Sequence, residues 1–163
     1  MNLYYGLKCK SEIVHAAERA IDVFGGDNNV LRLMIGTACT ETDCGTFKDA
    51  HPTKIGVSVV QFDEIRFNDV KRRTRPRNIA KFEARYNIVF SDLKLSDIAY
   101  NTDLAMAMCR LAYILIPDLV PSDLKGQARY WKDYWNSHAK NAKGSVESYL
   151  EDWENHKPFM FIL

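Results

Sequence analysis

Glu41 is the residue of this chain whose position best suits acid catalysis. The preceding residues, 29–40, predict a helix because their apolar side chains recur every three or four positions: Leu31, Met34, Ile35 and Ala38. Glu41 follows Met34 by about two helical turns, so both are expected on nearly the same face. Desolvation there would favour a protonated carboxyl group, which can donate a proton to a glycosidic oxygen. The alternative is a solvated or capping glutamate at the end of a helix.

Length and composition bound the remaining possibilities. The chain has 163 residues, 47% of them hydrophobic, which is enough for one domain, residues 1–163, with a substantial core. Its net charge of +1 gives no overall bias toward nucleic acid. Lys71–Arg77 contains five basic residues, which form either a solvated helix end or a patch that meets an anionic polymer or a membrane surface. This segment lacks the interleaved aromatic residues of a nucleic-acid-binding motif, so no nucleic-acid partner is expected.

The four cysteines form no metal-binding signature, so no metal or cofactor is expected. Cys109 falls in the most apolar segment and is predicted to be buried. A disulfide between Cys39 and Cys44 is conceivable, but free thiols and synthesis in a reducing compartment are the expectation.

The first residues lack the basic-then-apolar order of a signal peptide. No apolar run approaches the roughly 20 residues that span a bilayer. A soluble monomer without stable membrane insertion or an export signal of its own is therefore expected.

Periodic apolar residues and capping signals predict a mainly α chain. The predicted helices begin at Ser11, at about Val30, near Phe62, at Asn78, at Ser96, at Ser122 and at Ser145. The second helix is expected to run from about Val30 to Thr42 and to be terminated by Gly45. Residues 46–57 are expected to form a loop or short irregular hairpin. The segment from Ser96 to Ile116, nearly free of charge after Leu104, is predicted to be a single buried central helix.

The order of four segments resembles the lysozyme-like superfamily, specifically the soluble-lytic-transglycosylase-type domain of phage cell-wall enzymes. The resemblance runs from about Val30 to Leu150. In the family's order, the four segments are Ala38–Thr42, Gly56–Phe62, Leu95–Tyr113 and Tyr130–Asn136 with the following Ala142–Gly144. It implies a lysozyme-like fold, with helices around a buried central helix and a small irregular or hairpin lobe beside the cleft.

The resemblance also implies roles for individual residues. Glu41 matches the general acid, Gln61 the glutamine that lines the cleft, and Asn136 the asparagine of the fourth segment. Tyr113 matches a tyrosine of the central helix and is expected to bind substrate. Trp135 stands where the family has tyrosine, so the role of that hydroxyl either passes to Tyr134 or is absent.

A second catalytic carboxylate is needed only if the enzyme is a hydrolase. Asp49, eight residues after Glu41, and Asp63, after the glutamine motif, are the candidates. Asp49 lies in a position loosely like that of the aspartate in small phage lysozymes. Asp43 would be turned about 200° from Glu41 on a continuous helix. A lytic transglycosylase would instead use the muramic acid's own hydroxyl group, and the sequence leaves both routes open.

The predicted function is cleavage of peptidoglycan glycan strands at the MurNAc-β-1,4-GlcNAc bond by a phage endolysin-like muramidase or lytic transglycosylase. The alternatives are a non-catalytic structural or peptidoglycan-binding virion protein of the same fold, and a helical interaction module that uses Lys71–Arg77. An enzyme of this kind would stay in the host cytoplasm until a holin released it to the periplasmic wall, or would travel in a virion.

Overall fold

The computed structural model describes residues 2–48, 56–137 and 144–160, without side chains for 158–160. In these ranges the chain is mainly helical, as predicted, and contains no β-strand. The α-helices are α1 (Ser11–Phe24), α2 (Asn28–Thr42), α3 (Glu64–Arg73), α4 (Pro76–Tyr86), α5 (Leu95–Ile98), α6 (Thr102–Ile114), α7 (Leu124–Tyr134) and α8 (Val146–Met160). A short 3₁₀ turn, Phe90–Asp92, connects α4 to α5.

Short polar side chains set the beginnings of the helices that carry the candidate site. Asp27 accepts hydrogen bonds from the first free N–H groups of α2, and Asp63 does so for α3. Asp123 caps α7 in the same way. Ser145 and Ser148 cap the start of α8 reciprocally, each hydroxyl accepting from the other residue's backbone N–H.

Helix α6 is the buried centre of the core. Its residues from Leu104 to Cys109, and then Leu111 and Tyr113, are at most 4% exposed. It packs mainly against α1 and also contacts α2, α3 and α5. The small side chains of Ala105 and Ala107 are fully buried, consistent with close helix approach. The prediction of a buried central helix is confirmed.

The prediction that this helix runs unbroken from Ser96 was wrong. Asn101 adopts an extended conformation, with φ −124° and ψ 99°, and its side chain accepts a hydrogen bond from the N–H of Leu104 at 3.1 Å. An asparagine that caps a new helix competes with continuation of the old one. The segment therefore splits into the one-turn α5 and the longer α6.

Helix α2 passes through the core and carries Glu41 at its C-terminal end. It packs against α8, where the missing side chain of Gly36 leaves room for the ring and hydroxyl of Tyr149. Ten of its fifteen residues are buried, so most of its surface touches other helices. This packing fixes the direction in which the helix presents Glu41.

The predicted end of α2 at Thr42 is confirmed, but Asp43 and not Gly45 is the residue that ends the helix. The helix stops at Thr42 because Asp43 takes a left-handed conformation, with φ 51°, before Gly45 is reached. The hydroxyl of Thr42 donates to the carbonyl of Val59 at 2.8 Å, which ties the helix end to the turn at residues 58–61. That turn is closed by an isolated antiparallel bridge between Val57 and Phe62.

The Lys71–Arg77 segment does not form one uniform basic surface. Lys71 donates to the carbonyls of Ser91 and Leu93, each at 2.7 Å. Arg72 and Arg73 both pair with Asp69. The segment is thus a helix end and turn with several of its charges held locally. Within the described ranges, no helix is long and apolar enough to cross a membrane.

Candidate active site

Glu41 opens into a cleft of about 520 Å³ between α2, α3, α6 and the end of α7. Gln61, Tyr134 and Asn136, three of the residues predicted to bind substrate, line the same cleft. They come from three separate parts of the chain. The remaining lining residues are Asp63, Ile65, Arg66, Asp69, Val70, Arg73, Ala112, Leu115, Ile116 and Trp135.

The surroundings of Glu41 favour the protonated form of its carboxyl group. Burial raises its pKa from 4.5 to about 7, and the nearby charge of Asp63 adds to this rise. The guanidinium of Arg66 opposes the shift without cancelling it. Although dense protein surrounds its carboxyl group, Glu41 is only half-buried, so the cleft gives access to it. A partly desolvated acid with a pKa near neutrality has the property expected of a general acid.

Two donors lie beside the Glu41 carboxyl group and lower its pKa less than burial raises it: the Trp131 indole and the Asn136 amide. The indole N–H of Trp131 is buried and meets no acceptor at full hydrogen-bond geometry among the described residues. We therefore regard its contact with Glu41 as weak while the acid is neutral. The same N–H can strengthen that contact once Glu41 has lost its proton, because a carboxylate is the better acceptor.

Asn136 is held by the residues around it. Its side-chain oxygen accepts a hydrogen bond from Nζ of Lys132 at 2.9 Å, and the same ammonium donates to the carbonyl of Gly144 at 2.6 Å. A Cβ on Gly144 would lie 3.2 Å from the Asn136 amide nitrogen and would overlap the indole of Trp131. The glycine thus permits the chain to pass close beneath the site. Because Lys132 binds the amide oxygen of Asn136, the amide nitrogen faces away from the lysine and lies next to Glu41.

Gln61 is held in the left-handed turn after Val57, with φ 50°. Its amide nitrogen donates to the carbonyl of Ser58 and to the hydroxyl of Tyr5, both at 3.0 Å. The carbonyl acceptor fixes which end of the amide is nitrogen. A side chain at Gly56 would crowd the other end, 2.7 Å from the amide oxygen. The turn therefore fixes the orientation of the Gln61 amide.

Trp135 forms the aromatic wall of the cleft. Cζ of Arg66 lies 4.2 Å from the centre of a Trp135 ring, and the Arg66 guanidinium also donates to the Trp135 backbone carbonyl. Phe62 packs edge-on against the indole, with ring centres 5.4 Å apart. Trp135 itself is only 4% exposed. It therefore positions Arg66 over the cleft more than it offers a free face to a ligand.

Tyr113 and Tyr134, both predicted to bind substrate, lie in different environments. Tyr134 lines the cleft, and its hydroxyl donates to Asp118. Tyr113 does not reach the cleft: it is 2% exposed, and its hydroxyl is 2.6 Å from that of Thr37 inside the core. Its ring packs against Trp135 at 5.2 Å. Tyr113 is therefore not placed to contact a ligand in the cleft, contrary to the prediction. It lies on the buried face of α6 and supports the wall of the cleft from beneath.

The candidates for a second carboxylate also separate. Asp63 lines the cleft and caps α3 through a 2.7 Å hydrogen bond from the N–H of Arg66. Asp43 is held at the left-handed turn by Thr46 and His156, and it does not line the cleft. Asp49, the second predicted catalytic residue, lies outside the described residues. Of the described candidates, Asp63 is thus the one beside Glu41.

Sequence reasoning named Asp63 but missed the residues of α3 that follow it in the cleft. Asp63, Arg66, Asp69 and Arg73 line the cleft and follow one another at intervals of three or four, so they share one face of the helix. That spacing was visible in the sequence. The side on which α3 packs was not, because it depends on contacts with α6.

The raised pKa of Glu41 predicts a pH-dependent gain in stability on replacement by glutamine. The folded protein binds this proton more tightly than the unfolded chain, so burying Glu41 reduces stability as pH rises from about 4.5 to 7 and beyond. The full cost is about 3 kcal/mol. Glu41→Gln should therefore raise Tm by several degrees at about pH 8.5 and by much less at about pH 4.5. Calorimetry of both proteins across this range measures the difference.

A matched control for that experiment is Glu154→Gln, which removes a carboxylate that is 59% exposed on α8. This variant should show no comparable gain at high pH. An equal gain in both variants would mean that general charge loss, not desolvation of Glu41, is responsible.

Comparisons of the chain with protein-family models, with curated proteins and with solved structures found no match. Its function is therefore inferred from the geometry and electrostatics of this cleft.

Proposed function

We propose that the chain cleaves peptidoglycan glycan strands at the MurNAc-β-1,4-GlcNAc bond, with Glu41 as the general acid. The observation that carries the proposal is the position of Glu41: a carboxyl group with a pKa of about 7, open to a cleft that also contains Gln61, Tyr134 and Asn136. An acid of this pKa is largely protonated in mildly acidic solution and partly so at neutral pH. It can therefore protonate a leaving oxygen without needing an extreme pH.

The lining of the cleft supports a saccharide as the ligand. The lining combines apolar side chains, from Val70, Ala112, Leu115 and Ile116, with amides, carboxylates and guanidiniums. A sugar ring has an apolar face and a rim of hydroxyl groups, so it needs both kinds of surface. The side-chain amides of Gln61 and Asn136, both of which line the cleft, can hydrogen-bond that rim.

In the proposed reaction, Glu41 donates its proton to the glycosidic oxygen as the bond to the anomeric carbon breaks. The resulting carboxylate is stabilised by Arg66 and by the indole N–H of Trp131. In the second half of the reaction the carboxylate takes a proton back. The proton comes from the water that attacks the anomeric carbon if the reaction is hydrolysis, or from the muramic acid's own hydroxyl group if that hydroxyl closes an anhydro ring.

The negative charge of Asp63 allows a test of whether Glu41 sets the pH dependence of the activity. Asparagine also caps helices, so Asp63→Asn should preserve the start of α3 while removing the charge. Because that charge raises the pKa of Glu41, its loss should move the alkaline limb of the pH–activity profile to lower pH. The profile of turbidity loss with permeabilised cells measures this shift. An unmoved or alkaline-shifted limb would contradict the assignment of that limb to Glu41.

The activity of the same variant at its pH optimum assigns the mechanism. A loss about as large as that of Glu41→Gln would make Asp63 the second carboxylate of a hydrolase. Asp49→Asn, tested in parallel, would assign that role to Asp49 by the same criterion. Retention of most activity in both variants would favour the single-glutamate transglycosylase route.

The proposed setting is a phage lysis enzyme or a virion component. Peptidoglycan lies outside the cytoplasmic membrane, so a chain made in the host cytoplasm would need a holin or a virion to reach it. The non-catalytic alternative, a wall-binding virion protein, separates from the enzyme in one assay: it would sediment with purified peptidoglycan without releasing soluble fragments.

A further inference from the structure

A second cluster of reactive side chains lies at the end of α2, outside the candidate active site. The side chains of Cys39 and Cys44 are 1% and 0% exposed, and their sulfur atoms are 2.6 Å apart, with both thiols free. The other two cysteines differ: Cys9 is exposed, and Cys109 is buried in α6. Neither Cys39 nor Cys44 lines the cleft.

An unusual turn brings the two thiols together. Asp43 and Cys44 both have φ 51°, and Gly45 follows with φ 79°. Left-handed backbone is unfavourable for residues with a Cβ atom, so two in succession need support from their surroundings. The N–H of Cys44 donates to the carbonyl of Ala38 at 3.2 Å, which folds the chain back over the last turn of the helix. Cys44 is thereby placed against Cys39.

The surroundings make the two thiols chemically unequal. His156 on α8 is 5% exposed, and its ring contacts Asp43 through Nε2 and Nζ of Lys10 through Nδ1. Burial alone would raise the pKa of Cys44, but hydrogen bonds from Cys39 and His156 lower it to about 7. Burial, the contact with Cys44 and the charge of Asp152 raise the pKa of Cys39. In the folded protein Cys44 is thus the more readily ionised of the two thiols, and Cys39 holds its proton.

The spacing of the sulfur atoms favours a covalent link over a shared metal ion. Two thiolates on a tetrahedral zinc ion, each bonded at about 2.3 Å, would be about 3.8 Å apart. The 2.6 Å separation is much shorter. The described residues also hold no group of three or more side chains suited to a metal.

We propose that Cys39 and Cys44 form a reversible disulfide, closed by thiol–disulfide exchange with an oxidised thiol such as oxidised glutathione. While the chain folds and the thiols are still accessible, the Cys44 thiolate attacks one sulfur of the oxidant, forming a mixed disulfide and releasing the first glutathione as thiolate. Cys39 then loses its proton and attacks the Cys44 sulfur, which releases the second. Two protein thiols are oxidised and one oxidant disulfide is reduced to two thiols. The proposal does not depend on the function of the cleft.

The expected consequence is a fixed end of α2. The ring from Cys39 to Cys44 encloses Glu41 and Thr42, the residue whose hydroxyl holds the turn at Val59. Closing so short a ring should raise Tm by about 5 °C, because it restricts the unfolded chain. The bond would therefore stabilise the segment that positions the candidate acid.

The test is to refold the full chain in glutathione buffers of increasing oxidised fraction, so that burial of the thiols does not limit their access. After alkylation under denaturing conditions, tryptic digestion releases residues 33–48 as one peptide that contains both cysteines and no internal lysine or arginine. We expect this peptide to resist alkylation and to be lighter than its reduced form by two hydrogen atoms. Cys9 and Cys109 should remain alkylated. Cys39→Ser and Cys44→Ser should lose the oxidant-dependent rise in Tm.

Three results would overturn the proposal. In the first, both thiols stay alkylatable in fully oxidised buffer, or pair with Cys9 or Cys109 instead. In the second, oxidation leaves Tm unchanged or lowers it. In the third, the reduced protein binds zinc stoichiometrically and zinc protects both thiols. Peptide mapping of the unsubstituted chain decides between these outcomes and the proposal even if a serine variant does not fold.

Discussion

Glu41→Gln should reduce the lysis of permeabilised Gram-negative cells by about 10²–10⁴-fold, the usual contribution of a general acid. The amide has nearly the shape of the acid and can keep its place beside Arg66, Trp131 and Asn136. It has no proton to give to a leaving oxygen. The rate of turbidity loss, measured at equal concentrations of folded protein, gives the ratio.

The stability of the variant separates lost chemistry from lost structure. Glu41→Gln should have an unchanged or raised Tm. Loss of activity in an unfolded variant would therefore not support the role of Glu41 as general acid. Glu154→Gln, on an exposed part of α8, should keep full activity. Retention of more than about a tenth of the activity in Glu41→Gln would remove Glu41 from the role of general acid.

Gly36→Ala should destabilise the fold by overpacking the contact between α2 and α8. A methyl group at this position would overlap the hydroxyl and ring of Tyr149, which is fully buried where α8 packs against α2. Overpacking of this kind costs about 1–3 kcal/mol, only partly offset by the better helix propensity of alanine. We expect Tm to fall by about 5 °C. Thermal unfolding followed by circular dichroism measures the shift.

Tyr149→Phe supplies the matched background for that test. The hydroxyl of Tyr149 is buried and has no hydrogen-bond partner among the described residues, so its removal alone should be neutral or slightly stabilising. Gly36→Ala should then be less damaging in the phenylalanine background, because the nearest overlapping atom is gone. Equal costs in both backgrounds would contradict the steric explanation.

The parts of the fold that local chemistry determines were predictable. Asp27 and Asp123 mark the beginnings of helices because a short polar side chain next to an apolar repeat satisfies free N–H groups. The stretch after Leu104, which is nearly free of charge, is the buried core helix. The break at Asn101 was missed, since a capping asparagine and a solvated helical asparagine look alike in sequence.

The candidate site was predictable only in part. Glu41, Gln61, Tyr134 and Asn136 line one cleft, whereas Tyr113 is turned into the core, and the sequence pattern of α6 does not reveal which of its faces meets the cleft. Arg66 was missed because its position over Trp135 depends on how α3 packs. The pKa of Glu41 depends on the same packing, since the groups that desolvate and oppose it are distant in sequence.

Mass analysis of the soluble fragments released from purified peptidoglycan tests the central claim most directly. We predict that the unsubstituted protein releases disaccharide-containing muropeptides cut between MurNAc and GlcNAc, and that Glu41→Gln releases almost none. Hydrated reducing ends would assign hydrolysis and anhydro ends transglycosylation. Intact glycan strands after prolonged digestion by folded protein, or cuts confined to the peptide stems, would contradict the proposal that this cleft is a glycan-cleaving site.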